Sequence, residues 1–213
     1  MTIASAERPY TRAESAADTI IHVAGVLFAI DGSLWLLSHV TGLDIVASVS
    51  VYCAGLFVML TASAAYHLWP PGNGKDRLRR FDHAAIFVMI AATYTPFAVN
   101  RLAEPASGTI LGLVWLAATL GVVVKLLYPH RFEIASLALY LAMGWLVVTV
   151  IRPLSAAMAK ADFALLVAGG LVYSAGILFY LLERIPYHKA IWHGFVLVAV
   201  ILHFAAIASE FAS

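Results

Sequence analysis

Seven apolar stretches take up most of this chain, each close to the roughly 20 residues that a helix needs to cross a hydrocarbon core about 30 Å thick. They lie near Ile20 to Val40, Ile45 to Leu68, Ala84 to Val99, Ile110 to Leu127, Ile134 to Ile151, Phe163 to Leu182 and Ala190 to Ala208. With 62% hydrophobic and 12% charged residues among 213, and a mean hydropathy of +0.90, the composition is that of an integral membrane protein. The expected fold is therefore an all-α membrane protein, a seven-transmembrane helix bundle, with residues 1–18 as a polar tail and residues 19–213 as the transmembrane domain. The first apolar run is too long for a signal-peptide core, so the tail is expected to be retained.

Turn chemistry separates the runs: Thr41 to Asp44, Pro70 to Gly74 with Asn73, Pro105 with Gly108, then Pro129, Pro153 and Pro186. When the N-terminus and alternate loops are assigned to one side, that side holds Arg8, Arg12, Lys75, Arg77, Arg79, Arg80, Lys125, Arg131, Arg184 and Lys189. The other side holds only Arg101, Arg152 and Lys160. The asymmetry predicts a cytoplasmic N-terminus and a C-terminus outside. A net charge of +1 leaves no broad basic face for nucleic acid, and a lone Cys53 excludes an intramolecular disulfide and a cysteine-based zinc knuckle.

The ionisable residues gather at one depth. His67 ends the second span, Asp82 and His83 open the third, His188 and His193 open the seventh and His22 opens the first, all at the expected cytoplasmic end. Zinc takes imidazole and carboxylate ligands, and ligand-type side chains at one level on separate helices are what a site across a bundle needs. Ser63 is four residues before His67 and shares its helix face. Asp82 reads either as the N-terminal cap of its helix or as a partner of the metal site, orienting a ligand or acting as base on water. Deeper in, Asp31 and His203 read either as satisfying one another, because an unpaired carboxylate at midplane is costly, or as separate residues each linked to water. The five tryptophans mostly fall near span ends as interfacial anchors, Gly169, Gly170 and Gly176 read as close-packing positions, and Pro96 reads as a kink.

Taken in order, Ser63-Ala-Ala-Tyr-His67, Phe81-Asp82-His83-Ala-Ala-Ile-Phe, Thr93-Tyr94-Thr95-Pro96-Phe97 and Ala190-Ile-Trp-His193-Gly-Phe-Val-Leu, ending in His203-Phe204, resemble the hemolysin III family. These are bacterial relatives of the progestin and adipoQ receptors, and the likeness covers nearly the whole chain. The resemblance implies a zinc ion on the cytoplasmic side held by three histidines, one from the second helix and two from the seventh, with a serine and an aspartate nearby. It also implies kinship with alkaline ceramidases, which hydrolyse lipid amides. Carried over by position, His67 and His193 match ligands, Ser63 the serine and Asp82 the aspartate.

Two positions depart from that pattern. The family's seventh helix opens His-x-x-x-His, which puts both ligands on one face, yet the residue four before His193 is Lys189, and an ammonium cannot ligate zinc. His188 is five before His193, about 140° round an ideal helix, and serves as the third ligand only if the helix starts late or its first turn is irregular. The other readings are two histidines completed by Asp82 or water, or a metal-free site with the Lys189 charge in its place. At the first helix, Glu14, Asp18 and His22 resemble the family's acidic, amide and histidine series, with Asp18 where asparagine is usual.

The function expected from these residues is zinc-dependent hydrolysis of an amide or ester bond in a membrane lipid, serving membrane lipid homeostasis from a multi-pass position in the bacterial inner or plasma membrane. His67, His193 and His188 would hold the zinc, Asp82 would orient or deprotonate water, and Ser63 would hydrogen-bond the water or oxyanion. Two other classes compete: a receptor-like or regulatory membrane protein with a structural metal, and a pore-forming cytolysin. A pore needs a polar stripe through the full thickness, and only Asp31 and His203 are polar at midplane.

Overall fold

The computed structural model describes residues 11–72, 74–128, 131–182 and 184–212, which form helices and connecting turns with no strand among the described residues. Arg8, the tail ahead of Thr11, Asn73 and Pro129 lie outside the described residues. The helices are α1 (Arg12–His39), α2 (Leu43–Leu68), α3 (Lys75–Arg101), α4 (Ala106–Leu127), α5 (Glu133–Trp145), α6 (Ile151–Ala157), α7 (Lys160–Leu181) and α8 (His188–Phe211). A 3₁₀ segment, Leu146–Val150, joins α5 to α6, and the three pieces make one span, Glu133–Ala157. Seven helices long and apolar enough to cross a membrane result, with α8 the seventh.

Local chemistry explains most boundaries. Gly42, between α1 and α2, adopts φ +88°, a conformation that costs glycine nothing and other residues much. Trp69 closes α2 in extended conformation, as a residue before proline must. Pro153 does not end the fifth span as its type suggests. It sits in the first turn of α6, where its missing N–H costs no hydrogen bond, and the chain turns instead at Met158 and Ala159.

α3 packs along α2 and α4, α7 packs along α8, and α1 leans on both α2 and α8. α3 is the least apolar span, at mean hydropathy 1.3, and the most buried, at 67%. A helix surrounded by protein need not match lipid, so its lower hydropathy marks its central place. The main core joins Leu36 of α1, Tyr52 and Leu56 of α2, Phe97 of α3 and Val200 and Ile207 of α8. The fifth span buries few side chains and is held by polar ties. Glu133 pairs with Arg79 at 3.0 Å and with the buried Lys125 at 3.2 Å, and the Tyr140 hydroxyl donates to the His83 carbonyl at 2.8 Å. At the 3₁₀ break, the Tyr94 hydroxyl accepts from Val147 N at 2.8 Å and reaches the carbonyls of Met143 and Gly144. Two tryptophans are mid-span ties and not interfacial anchors: Trp145 Nε1 donates to Ser174 and Trp115 Nε1 to Thr95. Trp145 lies mid-span because the fifth span runs on to Ala157.

Candidate metal and lipid site

The site starts with the first turn of α1. Thr11 and Glu14 form a capping box, in which the Thr11 hydroxyl accepts from Glu14 N and the Glu14 carboxylate accepts from Thr11 N at 2.8 Å. The other oxygen of that buried carboxylate accepts from Tyr187 N at 2.8 Å, and Tyr187, in left-handed conformation, is the residue from which α8 departs. One side chain thereby ties the start of α1 to the start of α8. On α1, Asp18 and His22 are four apart and face inward together; on α8, His193 faces them.

Asp18, His22, His67 and His193 each offer one ligand atom, and these four atoms lie within 4.8 Å of one another. The His67 ring centre is 4.9 Å from that of His22 and 4.3 Å from that of His193, and the rings of His22 and His193 are 4.4 Å apart. Asp18 supplies the group's short hydrogen bond, Nδ1 of His193 to Oδ1 at 2.6 Å, while its second oxygen stands 3.7 Å from His22 Nε2 and 3.8 Å from His67 Nδ1. His22 Nε2 is buried without a hydrogen-bond partner among the described residues, an arrangement that is uncommon unless something else satisfies the nitrogen.

Of the residues singled out from the sequence, His67, His193, Asp82 and Ser63 meet at this place. Asp82 Oδ2 is 4.0 Å from His67 Nε2, and Ser63 lies within hydrogen-bonding reach of Asp82. Asp82 is not a cap: α3 opens at Lys75, about two turns earlier, so the carboxylate sits buried inside the helix. Nor does the first helix open at His22, since the capping box starts it at Arg12.

His188 does not join the group. α8 starts at His188 itself and its first turn is regular, with Ile191 N donating to Tyr187 O, so the angular separation from His193 is not relieved. Its place is taken from the first span by His22 and Asp18, whose spacing of four was the available signal. Lys189 is half-buried at the same end of the bundle. The pairing of Asp31 with His203 is also absent. His203 Nε2 donates to the Leu166 carbonyl of α7 at 3.1 Å, which turns the ring away from α1, and Asp31 is exposed.

A cavity of about 570 Å³ begins at the histidine group and continues into the bundle past Met89, Phe97, Phe163 and Val196 to Leu154. Tyr173 and His203 line it well inside the membrane span, His203 being about 15 Å along α8 from His193. Its wall between these two polar places is largely aliphatic and aromatic, as a chamber for an apolar chain would be.

Fold and site together define a multi-pass helical membrane protein with a buried histidine and aspartate group at one end of an apolar cavity. The chain belongs to the haemolysin-III-related family, whose profile matches residues 11–204. It is 38% identical over 192 residues to "Hemolysin-3 homolog" of Bacillus subtilis (strain 168), covering 88% of this chain and 90% of that one. It is 35% identical over 187 residues to "Hemolysin-3" of Bacillus cereus, covering 86% and 85%. A more distant relative, from the progestin and adipoQ receptor family, is the human "Monocyte to macrophage differentiation factor", 29% identical over 206 residues and covering 91% and 83%. No solved structure matches the chain significantly.

Proposed function

We propose that this protein is a zinc-dependent hydrolase that cleaves an amide or ester bond in a membrane lipid. The observation that carries the reading is the convergence of three imidazoles and a carboxylate at the end of an apolar cavity. The donor set fits the metal. Zinc bonds of about 2.0–2.1 Å give a coordination shell about 4 Å across, and nitrogen with carboxylate oxygen is a set that zinc accepts. The unpartnered His22 Nε2 supports the same fit.

His22, His67 and His193 would hold the ion, leaving one position open as catalytic sites do. Asp18, bonded to His193 Nδ1, would fix that ring's orientation and leave its Nε2 free to coordinate. When bound, zinc supplies Lewis-acid polarisation of the scissile carbonyl and lowers the pKa of water toward neutrality. Asp82, beside His67, would take the proton of the attacking water, and Ser63 would hold that carboxylate by hydrogen bonding or address the oxyanion. The lipid tail would occupy the cavity, so that the scissile bond sits at headgroup depth. The lysine and arginine distribution supports a site on the cytoplasmic side of the bacterial plasma membrane.

The test is turnover. Wild-type protein in lipid bilayers should release product from a panel of lipid amides and esters, and should stop after chelation and in His67→Ala. Absence of product from every lipid, with zinc bound, would leave a structural metal and end the hydrolase reading. The lytic activity suggested by the relatives' names calls for a continuous polar path, and the cavity's wall between its two polar places lends that little support.

A further inference from the structure

Far from the histidine group, the deep part of the cavity meets a second polar patch that the proposed chemistry does not use. His203 donates from Nε2 to the Leu166 carbonyl, so in the neutral ring Nδ1 is an acceptor, and it has no partner among the described residues. The ring of Tyr173 lies beside it, centroids 5.6 Å apart, and the Tyr173 hydroxyl likewise makes no hydrogen bond among the described residues. Behind Tyr173, in the adjoining core, the fully buried Tyr52 hydroxyl is likewise without a partner among the described residues. The patch is built and not accidental. Gly169 makes room for the imidazole, since a Cβ there would stand 2.3 Å from His203 Cδ2.

Polar groups in an apolar interior are costly unless satisfied, and the few polar groups in an apolar pocket ordinarily orient a ligand. One acceptor nitrogen beside one phenol matches a group that donates one hydrogen bond and accepts another. A hydroxyl does both. We propose that the polar patch partway along this cavity, at Tyr173 and His203, is a binding site for a hydroxyl group carried partway along the apolar chain of a lipid. The inference rests on reading the cavity as a lipid-tail chamber and is independent of what the histidine group does.

The test compares two probes on the full-length protein in detergent, stearate and a stearate hydroxylated at mid-chain, by displacement of a fluorescent fatty acid. The hydroxylated chain should bind roughly three- to tenfold tighter, as expected for one net hydrogen bond. Tyr173→Phe should bring the two affinities together while leaving that of plain stearate in place. Equal affinities in the wild type would overturn the proposal and point to trapped water as the groups' partner. A preference that persists in Tyr173→Phe would overturn it too. If neither probe binds, the tail-chamber reading fails and this inference with it, whereas equal binding removes this inference alone.

Discussion

One cavity has two polar places, and they differ in how their polar groups are treated. At the first, side chains from α1, α2 and α8 face one another, and a single carboxylate, Asp18, hydrogen-bonds one imidazole and lies beside the other two. At the second, His203 and Tyr173 face an apolar chamber with capacity left over. The first has the dimensions for a single small ion, and the second opens on a chamber long enough for an apolar chain. Separate residues build them, so each should be removable without the other.

The largest effect should come from the histidines of the first place. Alanine at His22, His67 or His193 is expected to take zinc from about one ion per chain to none, read by elemental mass spectrometry on purified protein. The unfolding temperature should fall as well, because a ligand bound only by the folded state stabilises it. Full zinc occupancy in any of the three would remove that residue from the ligand set. Asp18→Asn comes next. The amide keeps the shape but cannot hold the imidazole as a carboxylate does, and loss of such an orienting partner weakens metal affinity by about 10- to 100-fold. Competition with a zinc-sensitive dye measures it, and an unchanged affinity would mean that Asp18 serves packing alone.

The fold was legible because apolar run length is a strong, local signal, and seven runs imply seven crossings whatever their neighbours. His67 and His193 were legible through position in those runs, and Ser63 through its spacing from His67. His22 and Asp18 were visible as a series of four-residue steps after Glu14, yet their part in the group depends on Glu14 tying α1 to Tyr187, a contact across 173 residues that periodicity does not carry. Pro153 misled about the fifth span because proline in a first helical turn looks like proline in a break. The Asp31 and His203 pairing failed for a related reason: depth in the membrane can be counted from sequence, while the side of a helix on which a polar group finds its partner cannot.

At the second place, Gly169→Ala should displace the His203 ring and cost about 1–3 kcal/mol, the usual range for overpacking. Zinc content should remain at the wild-type level in that variant, and a loss of metal there would show that the two places are coupled through α8. Thermal unfolding and metal analysis on one preparation give both readings.

The smallest effect is the most discriminating for the ligand set. His188→Ala should leave zinc content at the wild-type level, read by the same elemental analysis, because His188 stands outside the group of ligand atoms. His188 and His193 are five residues apart on a helix that is regular from its first turn, so turning the former toward the group would turn the latter away. On the zinc reading, Lys189 in place of a histidine leaves the third imidazole to come from elsewhere, and among the described residues it is His22 of α1 that joins the group. Zinc lost from His188→Ala and kept in His22→Ala would reverse that assignment and require the first turn of α8 to unwind when metal binds.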